Sequence, residues 1–507
     1  MSKIIDIEIT DLRVPTSDTL QGSDPFHKKP NYSCVLTRIK TDDGLLGLSV
    51  NFSAGAGNDW LAYGVRDLSR LILGRDLEEF IGDPISFYRL LIDHHQLRWL
   101  ADGVARMAVG SILNALWDLW AKTENKPLWK LLVDLPPERI VQSIDWRYLK
   151  DALTPEEALE RLKNARSKRT VQEKHVIQEG VKAYSTAGWL GLTDQEILET
   201  IEDVRAQGLD CFKMKVGGGI DFDRKRMAFL RESIGDEALL MTDANQIWGV
   251  DEAIEYMKRL SEFRPYWIEE PTARDDVFGY KRIADGLRPF GIGVAAGEQV
   301  PSPVIFKQLL MQNAIQYCQI DATRLAGVQD VLAVILMADK FQIPVCPHGG
   351  GIGLCNMIVH YAIWDQICVS GPSRGQLVEY LYFLQDGVFL DPVSIRNGAY
   401  EITTSGGWGL EMEEEFVREH TYPTGRVWQG REDSGSITFI NNQIGEFWYK
   451  MLLTAETPAP VELPLLEAEL GTTTTAAITI DNPLGEQLPL RVSCDNPQNF
   501  GIVDDGQ

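Results

Sequence analysis

The chain lacks long hydrophobic runs and has few basic residues for its acidic ones. No apolar segment approaches the ~20 residues that a membrane-spanning helix needs, so no membrane partner is expected. Its 49 Lys and Arg residues face 73 Asp and Glu residues, which gives a formal net charge of −24. Nucleic acids and anionic membrane surfaces select basic patches. The composition therefore argues against a nucleic-acid-binding protein, although a local cluster of lysines and a metal can still bind an acidic substrate.

Cysteine is also scarce and follows no pattern. The chain has seven cysteines, an odd number, and no CxxC pair, which argues against a disulfide framework or a zinc site. The N-terminal segment MSKIIDIEITDLRVPT alternates like a strand and contains acids, unlike a signal or transit peptide. These features predict a cytoplasmic protein with buried, reduced thiols.

The pattern of apolar residues changes along the 507 residues, which are enough for two to four domains. Strands followed by helices predict an α+β capping domain over residues 1–150. A charged connecting segment (151–183) leads to alternating strands and helices (184–385), and residues 386–430 are expected to return and pack on the capping domain. Residues 431–507 are rich in threonine, valine and aromatic side chains and predict a small all-β extension.

Seven acidic, basic or histidine side chains recur in the alternating region, each directly after a short apolar run. They are separated by 23 to 31 residues, about the length of one strand, one helix and two loops. They are Lys215, Asp243, Glu269, Glu298, Asp321, His348 and Glu379. Because residues at strand exits share one rim of a closed parallel barrel, the spacing predicts an α/β barrel with its active site on that rim. The first barrel helix is expected to begin with Thr193 or Asp194 as N-cap and to stop at Gly208.

Three of the seven side chains are carboxylates on consecutive strands: Asp243, Glu269 and Glu298. Three oxygen ligands that converge on one point suit Mg²⁺, which prefers carboxylates, waters and a substrate oxygen. A single acid at a loop start is more often a helix cap or a solvated side chain. Three at the same strand position predict a Mg²⁺ site.

Two lysines, Lys213 and Lys215, lie two residues apart and therefore on the same face of one strand. Two neighbouring ammonium groups lower each other's pKa, which brings a lysine into the range of a general base. A lone KxK pair in a strand is more often solvated. In the mouth of a barrel that holds a metal, the pair predicts a catalytic role.

Asp321 and His348 are expected at the exits of adjacent strands, where a carboxylate can orient and charge an imidazole. A lone histidine after an apolar strand is more often a core residue. The GGGIG segment that follows His348 allows the backbone to approach a ligand closely. Glu379 on the next strand completes the ring and is expected to hydrogen-bond a developing oxyanion. A lysine base and a histidine around a divalent metal suit removal of a proton next to a carboxylate.

These residues resemble the enolase superfamily, mandelate racemase subgroup, over about residues 1–430. The KMK segment, the three acids, the Asp–His pair and the last Glu fall in family order. Shorter motifs are similar to those of the L-fuconate dehydratases, among them DWRYL (145–149), STAGWLG (185–191), DANQIW (243–248) and PHGGGIGLC (347–355). The resemblance implies a (β/α)7β TIM-like barrel with a capping domain, Mg²⁺, and dehydration of an acid sugar to a 2-keto-3-deoxy acid. It also implies a homo-oligomer.

The same resemblance assigns roles to individual residues. Lys215, with Lys213 beside it, would remove the C2 proton, and His348, held by Asp321, would protonate the departing C3 hydroxyl. Glu379 would hydrogen-bond the enediolate. Contacts to the substrate are expected from a further set of residues: Gln96, Arg98, Trp99 and Asn245.

The sequence departs from the family pattern at the predicted rim. The segment after the last barrel strand reads LYFLQDGVF (381–389), Gln299 stands where His is usual, and Asn356 replaces a Glu. These positions bear on the identity of the substrate rather than on the metal or the proton abstraction. Two alternative functions remain. A lysine and a histidine on opposite faces could exchange one α-proton, as in a racemase or epimerase of a 2-hydroxy acid. Residues 431–507 suggest instead an enolase-fold structural subunit of a ciliary or axonemal assembly.

Residues 431–507 resemble the junction between two immunoglobulin-like domains of ciliary axonemal scaffold proteins. About 70 residues do not complete either domain, because such a sandwich needs about seven strands in ~100 residues. The extension is expected either to dock on an axonemal or Ig-like partner or to fold back on the barrel as a hairpin. The first option predicts a location at the cilium axoneme in addition to the cytoplasm.

Overall fold

The computed structural model describes residues 2–94, 100, 102–372, 374–431, 437–441 and 445–449. The chain divides into two compact units, Met1–Phe416 and Val417–Gln507. The first unit contains both the capping domain and the barrel. Across the described segments, no helix is both long and apolar enough to cross a membrane.

The capping domain combines a three-stranded antiparallel sheet with a set of helices. Its strands, in sheet order, are β1 (Ile4–Arg13), β2 (Ser33–Thr41) and β3 (Leu46–Ser53). Its helices are α1 (Asn58–Ser69), α2 (Leu77–Gly82), α3 (Pro84–Ile92), α4 (Val104–Thr123), α5 (Leu128–Asp134) and α6 (Pro137–Ser143). Helix α4 is buried along most of its length because it packs on β3, on neighbouring helices and on the barrel.

The connecting segment folds as two helices, α7 (Pro155–Ala165) and α8 (Arg169–Glu179). The first barrel strand then begins at Val181, before the predicted boundary at residue 184. Gly180, with φ +73°, ends α8, and Val181 pairs with a strand from the far end of the barrel region. The partner residue, Tyr400, lies 219 residues after Val181 in the sequence, so local patterns do not reveal the pairing.

The barrel is a ring of parallel strands, each followed by a helix except the last. Its strands are β4 (Val181–Gly188), β5 (Cys211–Lys215), β6 (Leu239–Asp243), β7 (Trp267–Glu269), β8 (Gly293–Ala296), β9 (Tyr317–Cys318) and β10 (Val378–Tyr380). Val345 forms a parallel bridge to β9 and takes the place of the seventh strand. Strand β10 pairs with β4 and closes the ring.

The helices between these strands number seven in the described part of the barrel, and the predicted α/β barrel with its capping domain is confirmed. They are α9 (Asp194–Ala206), α10 (Ile220–Ile234), α11 (Val250–Leu260), α12 (Val277–Leu287), α13 (Pro303–Met311), α14 (Val328–Lys340) and α15 (Leu354–Cys368). Of the two predicted caps of α9, Thr193 is the one used: its hydroxyl accepts from the Glu196 backbone in a capping box.

The segment after β10 returns to the first strand and to the capping domain. A short hairpin, β11 (Ile395–Arg396) and β12 (Ala399–Tyr400), pairs antiparallel with β4. Farther on, the Trp408 backbone N–H donates to the Asp118 carboxylate on α4 at 2.7 Å. A side chain at Gly407, whose φ is +71°, would collide with that carboxylate.

His360 on α15 joins three parts of the first unit. Its Nδ1 accepts from the Trp129 backbone N–H on α5 at 3.0 Å, and its Nε2 lies 3.2 Å from the Trp408 carbonyl. Burial lowers the pKa of His360 from its ordinary 6.5 to about 4. The neutral imidazole, with Nε2 as donor, therefore satisfies both contacts.

The second unit is described over a shorter part of its length. Helix α16 (Glu414–His420) runs into it, and an antiparallel pair follows, β13 (Ile437–Asn441) and β14 (Gly445–Tyr449). The remainder of the predicted Ig-like extension, residues 432–436, 442–444 and 450–507, lies outside the described residues.

Candidate active site

All seven residues predicted at the strand exits lie together at one rim of the barrel and are buried. Asp243 and Glu269 are the last residues of β6 and β7, and Glu298 follows β8 by two residues. One carboxylate oxygen from each lies within 4.8 Å of the other two. The three acids therefore face a common point although they are 55 residues apart from first to last in sequence.

Their electrostatic surroundings favour a divalent cation. Burial and the neighbouring Asp243 carboxylate raise the pKa of Glu269 to about 8, against the lowering effect of Lys213. Three close, buried carboxylates repel one another unless positive charge is shared among them. Oxygen donors with this net charge and spacing fit a hard ion such as Mg²⁺. The donor set thus agrees with the predicted cofactor.

The two lysines of β5 make their shortest contacts to different acids, although Lys213 Nζ also lies 3.5 Å from Asp243 Oδ2. Lys213 Nζ lies 2.8 Å from Glu269 Oε1 and 2.8 Å from Glu379 Oε1. Lys215 Nζ lies 2.5 Å from Asp243 Oδ2 and donates to Asn245 Oδ1 at 2.9 Å. Both lysines therefore lie next to the metal-binding acids, and Lys215 is the one that also contacts Asn245.

The direction of the lysine pKa values differs from the prediction. Burial lowers the pKa of Lys215 and so does Lys213, but the carboxylates of Asp243, Glu298 and Asp24 together outweigh both, and the pKa is raised. The pKa of Lys213 is raised in the same way, with Glu269 and Glu379 opposing burial. The sequence shows that the two ammonium groups are close, but it does not show how many carboxylates surround them.

His348 and Asp321 form the predicted pair. His348 Nδ1 lies 2.9 Å from Asp321 Oδ2, so Nδ1–H donates and Nε2 is left facing Glu298 at 3.4 Å. Burial lowers the pKa of His348, but Glu298 and Asp321 raise it more, to about 9. The imidazole is held as a protonated group with Nε2 directed toward the metal-binding acids. This is the state that a general acid needs.

Asp321 is also tied to the capping domain through Thr323. The Thr323 backbone N–H and hydroxyl donate to Asp321 Oδ1 at 2.6 and 2.8 Å. The Thr323 carbonyl in turn accepts from the Asn51 side chain on β3 at 2.9 Å, and the ring of Phe52 lies 6.3 Å from that of His348. Of two neighbouring residues of the capping sheet, Asn51 therefore supports Asp321 through Thr323, and Phe52 packs beside His348.

Glu379 on β10 is held as a carboxylate. It accepts from Lys213, from the Thr186 hydroxyl at 3.2 Å and from the Gly349 backbone N–H at 2.9 Å. Burial raises its pKa, but Lys213 and His348 lower it more, to about 2. In this state Glu379 accepts hydrogen bonds, and the predicted donation to an oxyanion requires its protonated form.

A cavity of about 270 Å³ opens beside Lys215, between the capping domain and the barrel. The capping domain contributes Phe26 and His27, and the barrel contributes Asn245, Gln246, Arg274 and Gln299. Asn245 lines this cavity and also accepts from Lys215 Nζ, so the base and the cavity are adjacent. The Arg274 backbone donates to Gln246 at 3.1 Å, and its guanidinium lies 3.4 Å from Gln299 Oε1.

Two families of domains match the sequence. The mandelate racemase/muconate lactonizing enzyme N-terminal domain matches residues 16–133, and the enolase C-terminal domain-like family matches residues 196–416. These ranges correspond to the capping domain and to most of the barrel and the segment that follows it. The chain belongs to the enolase superfamily.

Two relatives and one more distant structure are similar to this chain over more than four fifths of its length. L-galactonate dehydratase of Hypocrea jecorina is 42% identical over 419 residues, which cover 82% of this chain and 92% of the relative. The crystal structure of human mitochondrial enolase superfamily member 1 has 43% identity and a TM-score of 0.83, covering 84% of this chain and 98% of that chain. L-talarate dehydratase from Polaromonas sp. JS666, complexed with Mg and L-glucarate, shares the fold at 22% identity with a TM-score of 0.60, covering 82% and 96%.

Of the predicted substrate contacts, Asn245 is at the site and the other three lie outside the described residues: Gln96, Arg98 and Trp99. The structure adds His27 and Arg274, which the sequence analysis did not single out. His27 lies in the polar loop between β1 and β2, where Asp24 accepts from the His27 backbone and contacts its ring at 3.2 Å. The sequence feature that could have indicated His27 is an aspartate and a histidine three residues apart in a loop rich in Pro and Gly.

Proposed function

We propose that this enolase-superfamily protein is a Mg²⁺-dependent acid-sugar dehydratase that converts its substrate to a 2-keto-3-deoxy acid. The observation that carries the proposal is the placement of Lys215 and His348 around one carboxylate trio. Lys215 Nζ contacts Asp243, and His348 Nε2 faces Glu298, while Glu269 lies between these acids in chain order. Because Lys215 and His348 lie beside different metal-binding carboxylates, they can act on neighbouring carbons of one bound substrate.

Asp243, Glu269 and Glu298 would hold the metal. When bound, Mg²⁺ supplies positive charge that stabilises negative charge on the substrate carboxylate and lowers the pKa of the nearby Lys215 ammonium. Lys215, as the free amine, takes the C2 proton. The electron pair left at C2 forms the C2–C3 double bond as the C3–oxygen bond breaks. His348 Nε2–H gives its proton to the departing hydroxyl, which leaves as water. The enol then loses its C2 hydroxyl proton and takes up a proton at C3 to become the keto acid.

As the substrate we propose L-galactonate or its 6-deoxy form, L-fuconate. The 42% identity with L-galactonate dehydratase supports the first, and the sequence motifs favour the second. The two acids share their configuration and differ only at C6. The cavity beside Lys215 has room for the end of the chain that carries this difference, and Arg274 and Gln299 offer hydrogen-bonding groups there.

The experiment is an assay of the purified protein with Mg²⁺ and a panel of acid sugars, followed by detection of 2-keto-3-deoxy acids. The proposal expects product from L-galactonate or L-fuconate and loss of product when Mg²⁺ is chelated. Asp321→Asn should slow water loss about 100-fold while exchange of the C2 proton with D₂O continues, since Lys215 is unchanged. If the product keeps its C3 hydroxyl and is inverted at C2, the enzyme is instead a racemase or epimerase.

The docking role of residues 431–507, a homo-oligomer and a cytoplasmic or ciliary location stay predictions from the sequence. A structural role is compatible with catalysis because the proposed site lies in the first unit. Removal of residues 431–507 tests the docking hypothesis separately from catalysis. If the truncated and full chains retain the same partners, the docking hypothesis is wrong.

A further inference from the structure

We propose that Arg226 on α10 is the positioning residue of Lys215 and holds it through the backbone carbonyls of two strand ends. The inference builds on the proposed function, in which Lys215 is the base. It concerns a residue that lies behind the catalytic rim and contacts neither the three acids nor the cavity in any described interaction.

The guanidinium of Arg226 joins the ends of β4 and β5. Its Nη1 donates to the Lys215 carbonyl at 2.9 Å. Its Nη2 donates to the carbonyls of Gly188 at 3.1 Å and Trp189 at 2.8 Å. A planar group with several fixed donors can bind three carbonyls of two strands at once, which no other side chain does with this geometry.

The same contacts fix the ring that covers the base. The Lys215 ammonium lies 5.3 Å from the centroid of the Trp189 ring, within the range of a cation–π contact. Because Arg226 binds the carbonyls of both Lys215 and Trp189, it sets the position of the amine and of its aromatic neighbour together. Loss of this link would allow the two strand ends to separate.

Asp223, one turn earlier on α10, holds the chain just after Lys215. Its carboxylate accepts from the backbone N–H groups of Gly217 at 2.6 Å and Gly218 at 3.2 Å, and from the Tyr256 hydroxyl at 2.7 Å. The two charged residues of the buried face of α10 thus bind the backbone at Lys215 and immediately after it. The backbone is therefore fixed from the Lys215 carbonyl to Gly218.

The burial of Arg226 indicates a role beyond filling space. It is 5% exposed, and its nearest carboxylate, Asp223, is 3.9 Å away. Burial lowers its pKa to about 10, with Asp223 opposing. Burying a cation without a close anion costs free energy that an apolar side chain would not. Three carbonyl contacts at the strand ends compensate for that cost and give the residue a specific target.

The same helix contains a matched control. Arg231, five residues later, also binds backbone carbonyls: Gly235 at 3.0 Å, Ala238 at 2.8 Å and Phe263 at 3.1 Å. These carbonyls lie in the loops before β6 and β7, at the opposite end of the barrel from Lys215. Arg231 is more exposed than Arg226, but a purely structural role of an arginine on α10 should lower stability at either position without a selective loss of kcat.

The experiment compares Arg226→Lys with Arg231→Lys in the full-length protein, with Arg226→Gln as a second variant if the first does not fold. We expect Arg226→Lys to lower kcat at least tenfold with less than a twofold change in KM, and to leave Mg²⁺ affinity, measured by calorimetry, unchanged. Arg231→Lys should leave kcat within twofold of the wild type, even if it lowers the thermal midpoint. Equal losses of kcat in the two variants, or a change confined to KM, would overturn the proposal.

Crystal structures of the two variants provide a readout that does not depend on turnover. Lys215 should lose its contacts with Asp243 and Asn245 in Arg226→Lys and keep them in Arg231→Lys. If Lys215 stays in place in both, Arg226 does not position it, whatever the activity. If instead Lys215 moves as expected but the wild-type protein converts no acid sugar, the positioning role stands and the proposed function is wrong.

Discussion

The interior of the barrel has two layers, built by the same strands and opposite in chemistry. The upper layer, at the strand exits, consists of ionisable groups within hydrogen-bonding reach of one another. The lower layer is apolar and aromatic, and most of its members lie two residues before a member of the upper layer: Cys211, Met241, Trp267, Cys346 and Leu377 precede Lys213, Asp243, Glu269, His348 and Glu379. Residues two apart face the same side of a strand. One set of strands therefore provides a stable floor and a reactive rim at separate levels.

The difference between the layers lies in what holds them together. In the lower layer, the Trp267 ring packs edge-on to Tyr184 at 5.4 Å and against Tyr317 at 4.9 Å. Such contacts stabilise the fold without any partner from outside the chain. In the upper layer, the buried carboxylates of Asp243, Glu269 and Glu298 lie within 4.8 Å of one another and would be stabilised by a bound cation. The comparison predicts that changes in the rim affect chemistry and that changes in the floor affect stability.

The largest effect is expected from Lys215→Met. Removal of the proposed base should lower kcat by about 10⁴-fold, the upper end of the contribution of general base catalysis, with little change in the thermal midpoint. Steady-state kinetics and calorimetric unfolding measure the two quantities. Lys182→Met serves as the control, because Lys182 is exposed on β4 and pairs with Asp210 at 3.3 Å outside the site. A large loss of stability in Lys215→Met would contradict the separation of the layers.

The floor is tested by Trp267→Ala. Truncation of this buried ring should cost about 4 kcal/mol of stability, as expected for a large aromatic side chain in a core, and thermal unfolding should show it. The affinity for Mg²⁺ should stay within threefold of the wild type, although Glu269 is only two residues away. Trp60→Ala, at a position that is 71% exposed, should change neither quantity. If metal affinity and stability fall in parallel, the two layers are not independent.

A pH effect is expected outside both layers, at His360. The folded protein favours the neutral imidazole, with a pKa of about 4 against an ordinary 6.5. This stabilisation is therefore complete above pH 6.5 and is lost as pH falls toward 4, by about 3 kcal/mol over that window. His360→Gln, which keeps an acceptor and a donor without a titrating group, should flatten this part of the pH dependence of unfolding. An unchanged slope in the variant would assign the effect to other groups.

The smallest effect is expected from Arg274→Gln at the cavity. Loss of one hydrogen-bonding group to the far end of the sugar acid should raise KM about fivefold, roughly 1 kcal/mol, and leave kcat unchanged. The control is Arg264→Gln, since Arg264 is an exposed residue that pairs with Asp236 away from the site. A change in kcat rather than KM would place Arg274 in the rim chemistry instead of in substrate binding.

The positions of the rim residues could be predicted because strand length, helix length and parallel closure repeat along the chain. Lys215, Asp243 and His348 follow apolar runs at that repeat, and each is at the expected rim. The resemblance to the enolase superfamily led to the same ring of residues, and the domain matches confirm the family. Periodicity therefore predicts where a side chain lies when one repeating element determines it.

The remaining features depend on contacts between distant segments. The raised pKa of Lys215 follows from the combined carboxylates of Asp243, Glu298 and Asp24, and the early start of β4 follows from its pairing with β12. Arg226 stood in the sequence as a charge within the apolar stripe of α10, beside Met227 and Leu230, and only the structure shows which carbonyls it binds. Neither the number of surrounding charges nor the target of a buried arginine follows from a local pattern.

The hydrogen bond from Asn51 to the Thr323 carbonyl has a consequence for engineering this enzyme. Exchanging the capping domain is an obvious way to alter which sugar acid is accepted. In this protein, however, such an exchange would also remove the support beneath Asp321 and shift the imidazole that it aims. A graft that keeps Asn51 and Phe52 from the original sheet should retain proton delivery, whereas one that replaces them should accept new compounds and process them slowly.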